Sequence, residues 1–95
     1  FSDIQLDRST YQLSNSEGTT IRLANKEYQM LEMLMTNPGQ VISVDQFMDK
    51  IWGYDSEAEF NVVWVYISYL RKKLSSLHAH VQIKATRGVG YSLIE

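Results

Sequence analysis

Asn61-Val62-Val63-Trp64-Val65-Tyr66-Ile67-Ser68-Tyr69-Leu70-Arg71-Lys72-Lys73-Leu74 is the stretch that decides the fold. At helical spacing, residues 60–75 bring Val63, Ile67, Leu70 and Leu74 within about 60° of one another. Such a stripe must be buried against other elements. The opposite side carries Asn61, Val65, Ser68 and Lys72, flanked by Trp64 and Arg71 on one edge and Tyr69 on the other. This helix therefore has one face for a core and one for something else.

Upstream lie two more helices. Residues 25–36 are apolar on most sides: Tyr28, Leu31 and Met35 form a stripe that Met30, Met33 and Leu34 widen. These methionines read as core, since Met fills irregular gaps. Asn37-Pro38-Gly39 ends that helix, because proline cannot continue the ladder. Val41-Ile42 is a short extended piece, and Ser43-Val44-Asp45-Gln46 fits a capping box. Val44, Phe47, Met48 and Ile51 then form an amphipathic stripe that Gly53 stops. Residues 54–59 are a short acidic connector. Before residue 24 the apolar residues alternate (Ile4 and Leu6, Tyr11 and Leu13, Ile21 and Leu23), as in a small antiparallel sheet. Ser14 to Gly18 supplies a turn. After the third helix, Val81 and Ile83 lead into a hairpin that turns at Arg87-Gly88-Val89-Gly90 and returns through Tyr91 to Ile94.

The 95 residues bound the chain to one domain, 1–95. There is no apolar run long enough to cross a membrane and no signal peptide, so no membrane partner is expected. The absence of cysteine excludes disulfides and thiolate zinc sites and agrees with a cytoplasmic location. The chain does not begin with Met, which suggests a piece of a longer protein. Net charge is −2, but its distribution is uneven. Residues 1–60 hold four basic and ten acidic side chains; residues 61–95 hold five basic ones and a single acid, Glu95. An acidic body with a basic C-terminal end suits a domain that offers one end to phosphates.

Sheet, helix, helix, connector, helix and hairpin is an order compatible with a helix-turn-helix reader. Its last helix enters the major groove and needs an exposed face that is neither apolar nor acidic. Arg71-Lys72-Lys73 suit backbone phosphates, with Lys73 nearer the core edge; they equally suit a solvated helix end that complements the macrodipole. Gly88 and Gly90 allow a tight tip that carries Arg87 to a narrow groove or a phosphate, or simply to solvent. Trp64 suits a sugar or a thymine methyl, or a satellite cluster with the connector and Tyr54. Asn61 suits adenine or phosphate, or the helix start. Trp52 reads as structural, with donation of its indole N–H to a phosphate as the second reading.

Leu70 to Leu74 followed by Ala85-Thr86-Arg87-Gly88-Val89-Gly90-Tyr91 resembles the closing signature of the OmpR/PhoB family of response-regulator effector domains. Leu23 to Leu31 resembles its first-helix motif. Asn37 to Ser43, with Ile51-Trp52-Gly53, resembles its middle section. The resemblance implies an α+β winged helix-turn-helix: an N-terminal four-stranded antiparallel sheet, three helices and a C-terminal β-hairpin wing. It implies double-stranded DNA, in tandem direct repeats, as the partner. The DNA-facing residues would be Asn61, Trp64, Val65, Ser68, Tyr69, Arg71, Lys72, Arg87 and Gly88. It further implies a connector facing RNA polymerase through Tyr54, Asp55 and Glu57. A phosphorylatable receiver domain would precede the chain and supply the homodimer in a two-component phosphorelay controlling transcription. Three positions depart from the family. Ala24 stands where a capping Thr is frequent, a loss of about 1 kcal/mol. Trp64 replaces a common Asp, and Ser68 and Tyr69 stand where many members have Arg, so the reading face is less basic.

No nucleophile elbow, metal-ligand spacing or phosphate loop is present. Neither catalysis nor a metal or cofactor is expected, and His78 and His80 read as loop histidines. The alternative to DNA reading is a winged helix used as a protein-interaction module, which the acidic total and the exposed aromatics would suit.

Overall fold

The computed structural model describes residues 1–53 and 61–95. Three strands, β1 (Ile4–Asp7), β2 (Gln12–Asn15) and β3 (Thr20–Arg22), form an antiparallel meander in the order β1-β2-β3. Leu6 opposes Leu13, and Leu13 opposes Ile21, so the alternation of the sequence delivers one apolar face. The sheet has three strands, where four were expected. The next extended piece, β4 (Ile42–Ser43), pairs instead with the C-terminal hairpin. A period-2 pattern marks a strand but not the edge it joins.

Helix α1 (Asn25–Thr36) buries Tyr28, Met30, Leu31 and Leu34. Its N-cap is Ala24, which has no side-chain acceptor to offer. Half of a capping box survives: the Ala24 N–H donates to Glu27 Oε1 at 2.7 Å. The second helix begins with both halves. The Gln46 N–H donates to Ser43 Oγ at 3.1 Å, and the Ser43 N–H donates to Gln46 Oε1 at 2.8 Å. It runs as α2 (Val44–Phe47) and then widens into a π-helical segment, Met48–Trp52, closed by a bond from the Gly53 N–H to the Met48 carbonyl at 2.8 Å. Gly53 adopts a φ of +77° there.

Helix α3 (Asn61–Ser76) buries Val63, Ile67, Leu70 and Leu74, the stripe its spacing predicts. Each stabilises the fold by roughly 1.5–3 kcal/mol before chain ordering is subtracted. It ends in a Schellman motif: the Ala79 N–H reaches the Leu74 carbonyl and the His78 N–H the Ser75 carbonyl. His78 holds the left-handed position of that motif, φ +53°, where glycine is usual. Strands β5 (Gln82–Thr86) and β6 (Gly90–Ile94) close the chain as a hairpin, and with β4 they make a second sheet in the order β4-β6-β5. The core lies between α1, α3 and the two sheets, around Leu13, Leu31, Phe47, Ile67 and Leu93.

Candidate nucleic-acid interface

The face of α3 turned from the core carries the residues that its spacing selected. Asn61, Trp64, Tyr69, Arg71 and Lys72 are exposed; Val65 and Ser68 are half-buried. Trp64 is 60% exposed, the most open large apolar side chain among the described residues. The Ser68 hydroxyl donates back to the Trp64 carbonyl at 3.2 Å, a local bond that uses its only proton. Tyr69 meets Tyr66 edge-on with ring centroids 5.6 Å apart, and Tyr66 packs on Trp52 at the same separation. Trp52 is thus structural. It also lies under Lys26, whose ammonium sits 5.8 Å from the ring and donates to the Ile51 carbonyl at 2.9 Å.

The three basic residues at the end of α3 separate into different roles. Lys73 turns inward, donating to Glu27 Oε1 and to the Arg22 carbonyl. Glu27 is buried, so this pair fastens α3 to the start of α1. Arg71 reaches sideways. Its Nε and Nη2 donate to the Ile83 carbonyl of β5 at 3.3 and 2.9 Å. Three of its five N–H donors remain for other partners. Lys72 is exposed on the outer face. The tie between Arg71 and Ile83 has no signal in the sequence, because its acceptor is a backbone group twelve residues away.

Arg87 and Gly88 form the tip of the hairpin, between Thr86 and Val89, whose backbones are bonded at 2.9 Å. Gly88 takes a φ of +73°, which strains any residue with a Cβ. Both tip residues are exposed, as is Val89. Gly90 meets a different demand. A Cβ there would overlap the Ile42 carbonyl, so the close approach of β4 to β6 needs glycine. An open cleft of about 470 Å³ lies between the tip and the start of α2, lined by Ser43, Asp45, Thr86, Arg87 and Tyr91 among others. Tyr54, Asp55 and Glu57, expected to face RNA polymerase, lie outside the described residues, as does the suggested packing of Trp64 on Tyr54.

Among the described residues, no helix is long and apolar enough to cross a membrane. The family model for the C-terminal part of transcriptional regulatory proteins matches residues 18–93. DltR, a transcriptional regulatory protein of Streptococcus agalactiae, is 40% identical over 93 residues, covering 98% of this chain. The chain covers 41% of that relative's length. The AdeR DNA-binding domain, solved in complex with an intercistronic region, superposes with a TM-score of 0.86 at 25% identity, covering 100% of this chain and 97% of its own. The Klebsiella pneumoniae RstA DNA-binding domain, solved with the RstA box, gives 0.81 at 28% identity, covering 99% and 93%. With its exposed helix face and hairpin tip in this arrangement, the chain belongs to the OmpR/PhoB-type family of C-terminal DNA-binding domains of transcriptional regulatory proteins.

Proposed function

We propose that this domain binds double-stranded DNA as the output module of a two-component response regulator, with α3 in the major groove and the β5–β6 wing at the adjacent minor groove or backbone. The observation that carries this reading is the outer face of α3. It is open to solvent, with Val65 and Ser68 half-buried and the rest exposed, turned from the core, free of acidic side chains, and bonded through Arg71 to the strand that leads to Arg87. Asn61, Trp64, Val65, Ser68 and Tyr69 face base edges and sugars. Lys72, Arg87 and the remaining donors of Arg71 hold phosphates or a narrow groove, and Gly88 lets the wing tip approach closely. The complexes of AdeR and RstA with DNA support the same reading. No catalytic step, metal or cofactor enters it.

The rest of the regulator belongs to the same proposal. A receiver domain precedes this one and supplies the homodimer, two copies lie on tandem direct repeats, and the connector with Tyr54, Asp55 and Glu57 meets RNA polymerase in the cytoplasm. The test is fluorescence anisotropy of the chain with a random-sequence duplex pool at several salt concentrations. Log affinity should fall linearly with log salt, and Lys72→Ala and Arg87→Ala should each reduce the slope by about 1. A folded chain that fails to bind at low salt, or whose binding ignores salt, would overturn the proposal and favour a protein-interaction module built on Trp64 and Tyr69.

A further inference from the structure

We infer that α3 reads thymine methyl groups, so that the base pairs under its first two turns are rich in A·T. This rests on the DNA reading proposed above and specifies what that reading recognises. Guanine is read most often by a bidentate Arg or Lys reaching its O6 and N7. Between Asn61 and Ser68 there is no charged residue. The cations further along α3 are placed elsewhere: Lys73 is engaged with Glu27, and Arg71 spends two donors on the Ile83 carbonyl. Only Lys72 keeps all its donors on the outer face, and it lies with Arg71 beyond the first two turns.

The first two turns offer apolar surface instead. Trp64 is 60% exposed and Val65 is half-buried beside it. Ser68 donates its hydroxyl hydrogen bond to the Trp64 carbonyl and keeps only acceptor capacity. A large apolar side chain on a face that enters the major groove gains by meeting an apolar group there, and the thymine 5-methyl is the one that the groove presents. The Asn61 carboxamide supplies the donor and acceptor that adenine N7 and N6 require, and it begins the helix, where a recognition helix meets base edges. Thymine and adenine are therefore read by the apolar side chains and the carboxamide, neither of which matches guanine, while the Ser68 acceptor suits adenine N6 and cytosine N4 alike.

The test removes the methyls and nothing else. Duplexes enriched by the chain from a random pool are resynthesised with deoxyuridine in place of thymidine, and their affinities are compared at fixed salt. Affinity is expected to fall about fourfold for each methyl that the helix buries, taking a methyl as worth about one buried CH2. In Trp64→Ala, an exposed position that leaves the core intact, the penalty should shrink to less than twofold. Enrichment of G·C-rich half-sites, equal affinity for the deoxyuridine duplex, or a full penalty persisting in Trp64→Ala and Val65→Ala would overturn the inference while leaving DNA binding in place. Absence of salt-dependent binding to the starting pool would overturn the proposed function and this inference together.

Discussion

The guanidinium of Arg71 forks onto the Ile83 carbonyl, donating from Nε at 3.3 Å and from Nη2 at 2.9 Å, and so bonds the outer helix to the first strand of the wing. Arg71→Lys keeps the charge and loses the fork. It should cost about 1 kcal/mol in denaturant unfolding, since the bond is only partly buried, and speed amide exchange in β5. The salt slope of DNA binding should stay near that of the parent, because a cation remains. A lysine variant with unchanged exchange in β5 would mean that the fork does not hold the wing.

Lys73 and Glu27 are 46 residues apart in sequence and joined in the fold. The two partners are not equivalent, because the Glu27 side chain is 5% exposed and that of Lys73 is 26%. Lys73→Met strands a buried carboxylate, whereas Glu27→Met leaves an ammonium that can swing to water. Removing one partner of a fully buried pair costs about 3–5 kcal/mol, and the partial exposure here brings the expectation for Lys73→Met to roughly 2 kcal/mol. Glu27→Met should cost less through the pair, although it also loses the bond from the Ala24 N–H. Chemical denaturation of the two variants side by side decides the order.

Ala24 leaves the first turn of α1 without a side-chain cap, while Glu27 already accepts the Ala24 N–H. The backbone at Ala24 is extended, φ −68° and ψ 159°, as a capping residue requires. Ala24→Thr should complete the box and raise stability by about 1 kcal/mol, a rise of several degrees in Tm. An unchanged Tm would show that Glu27, held by Lys73, already meets the needs of that turn.

Gly90→Ala tests the junction of β4 and β6. Its Cβ would run into the backbone of Ile42 and Ser43, which cannot move aside as a flexible side chain would. Destabilisation of about 1–3 kcal/mol is expected, with loss of exchange protection at Ile42 and Tyr91. Gly88→Ala meets no neighbouring atom but must adopt a positive φ, so its cost should be confined to the wing tip.

Features written in neighbouring residues were legible in the sequence. The Ser43 and Gln46 box closes within three residues, and the Val63, Ile67, Leu70 and Leu74 stripe follows from helical pitch alone. What joined distant segments was not. Ile42 pairs with Tyr91, so the fourth extended piece completes the wing sheet and leaves the N-terminal sheet three-stranded. Hydrophobic alternation has no means of naming that edge. The π-helical widening before Gly53 and the left-handed His78 leave no mark in the sequence pattern either, since apolar spacing hardly changes over one wide turn and histidine is an uncommon choice at that cap. The outer face of α3 was legible as a set of positions. Which of its cations stay available was not, because Arg71 and Lys73 find their acceptors on other elements.

Since β4 leads directly into α2 and is bonded to β6, and Arg71 bonds α3 to β5, the wing is attached to both helices of the helix-turn-helix. The domain is built like a caliper with a fixed opening. In the binding mode proposed above, the interval between a helix in one groove and a tip at the next would be set before any duplex arrives, so little ordering entropy would be spent on contact. A duplex that is overwound or underwound would then present its grooves at the wrong interval. Sequences that bend or twist easily would gain an advantage at base pairs that no side chain touches.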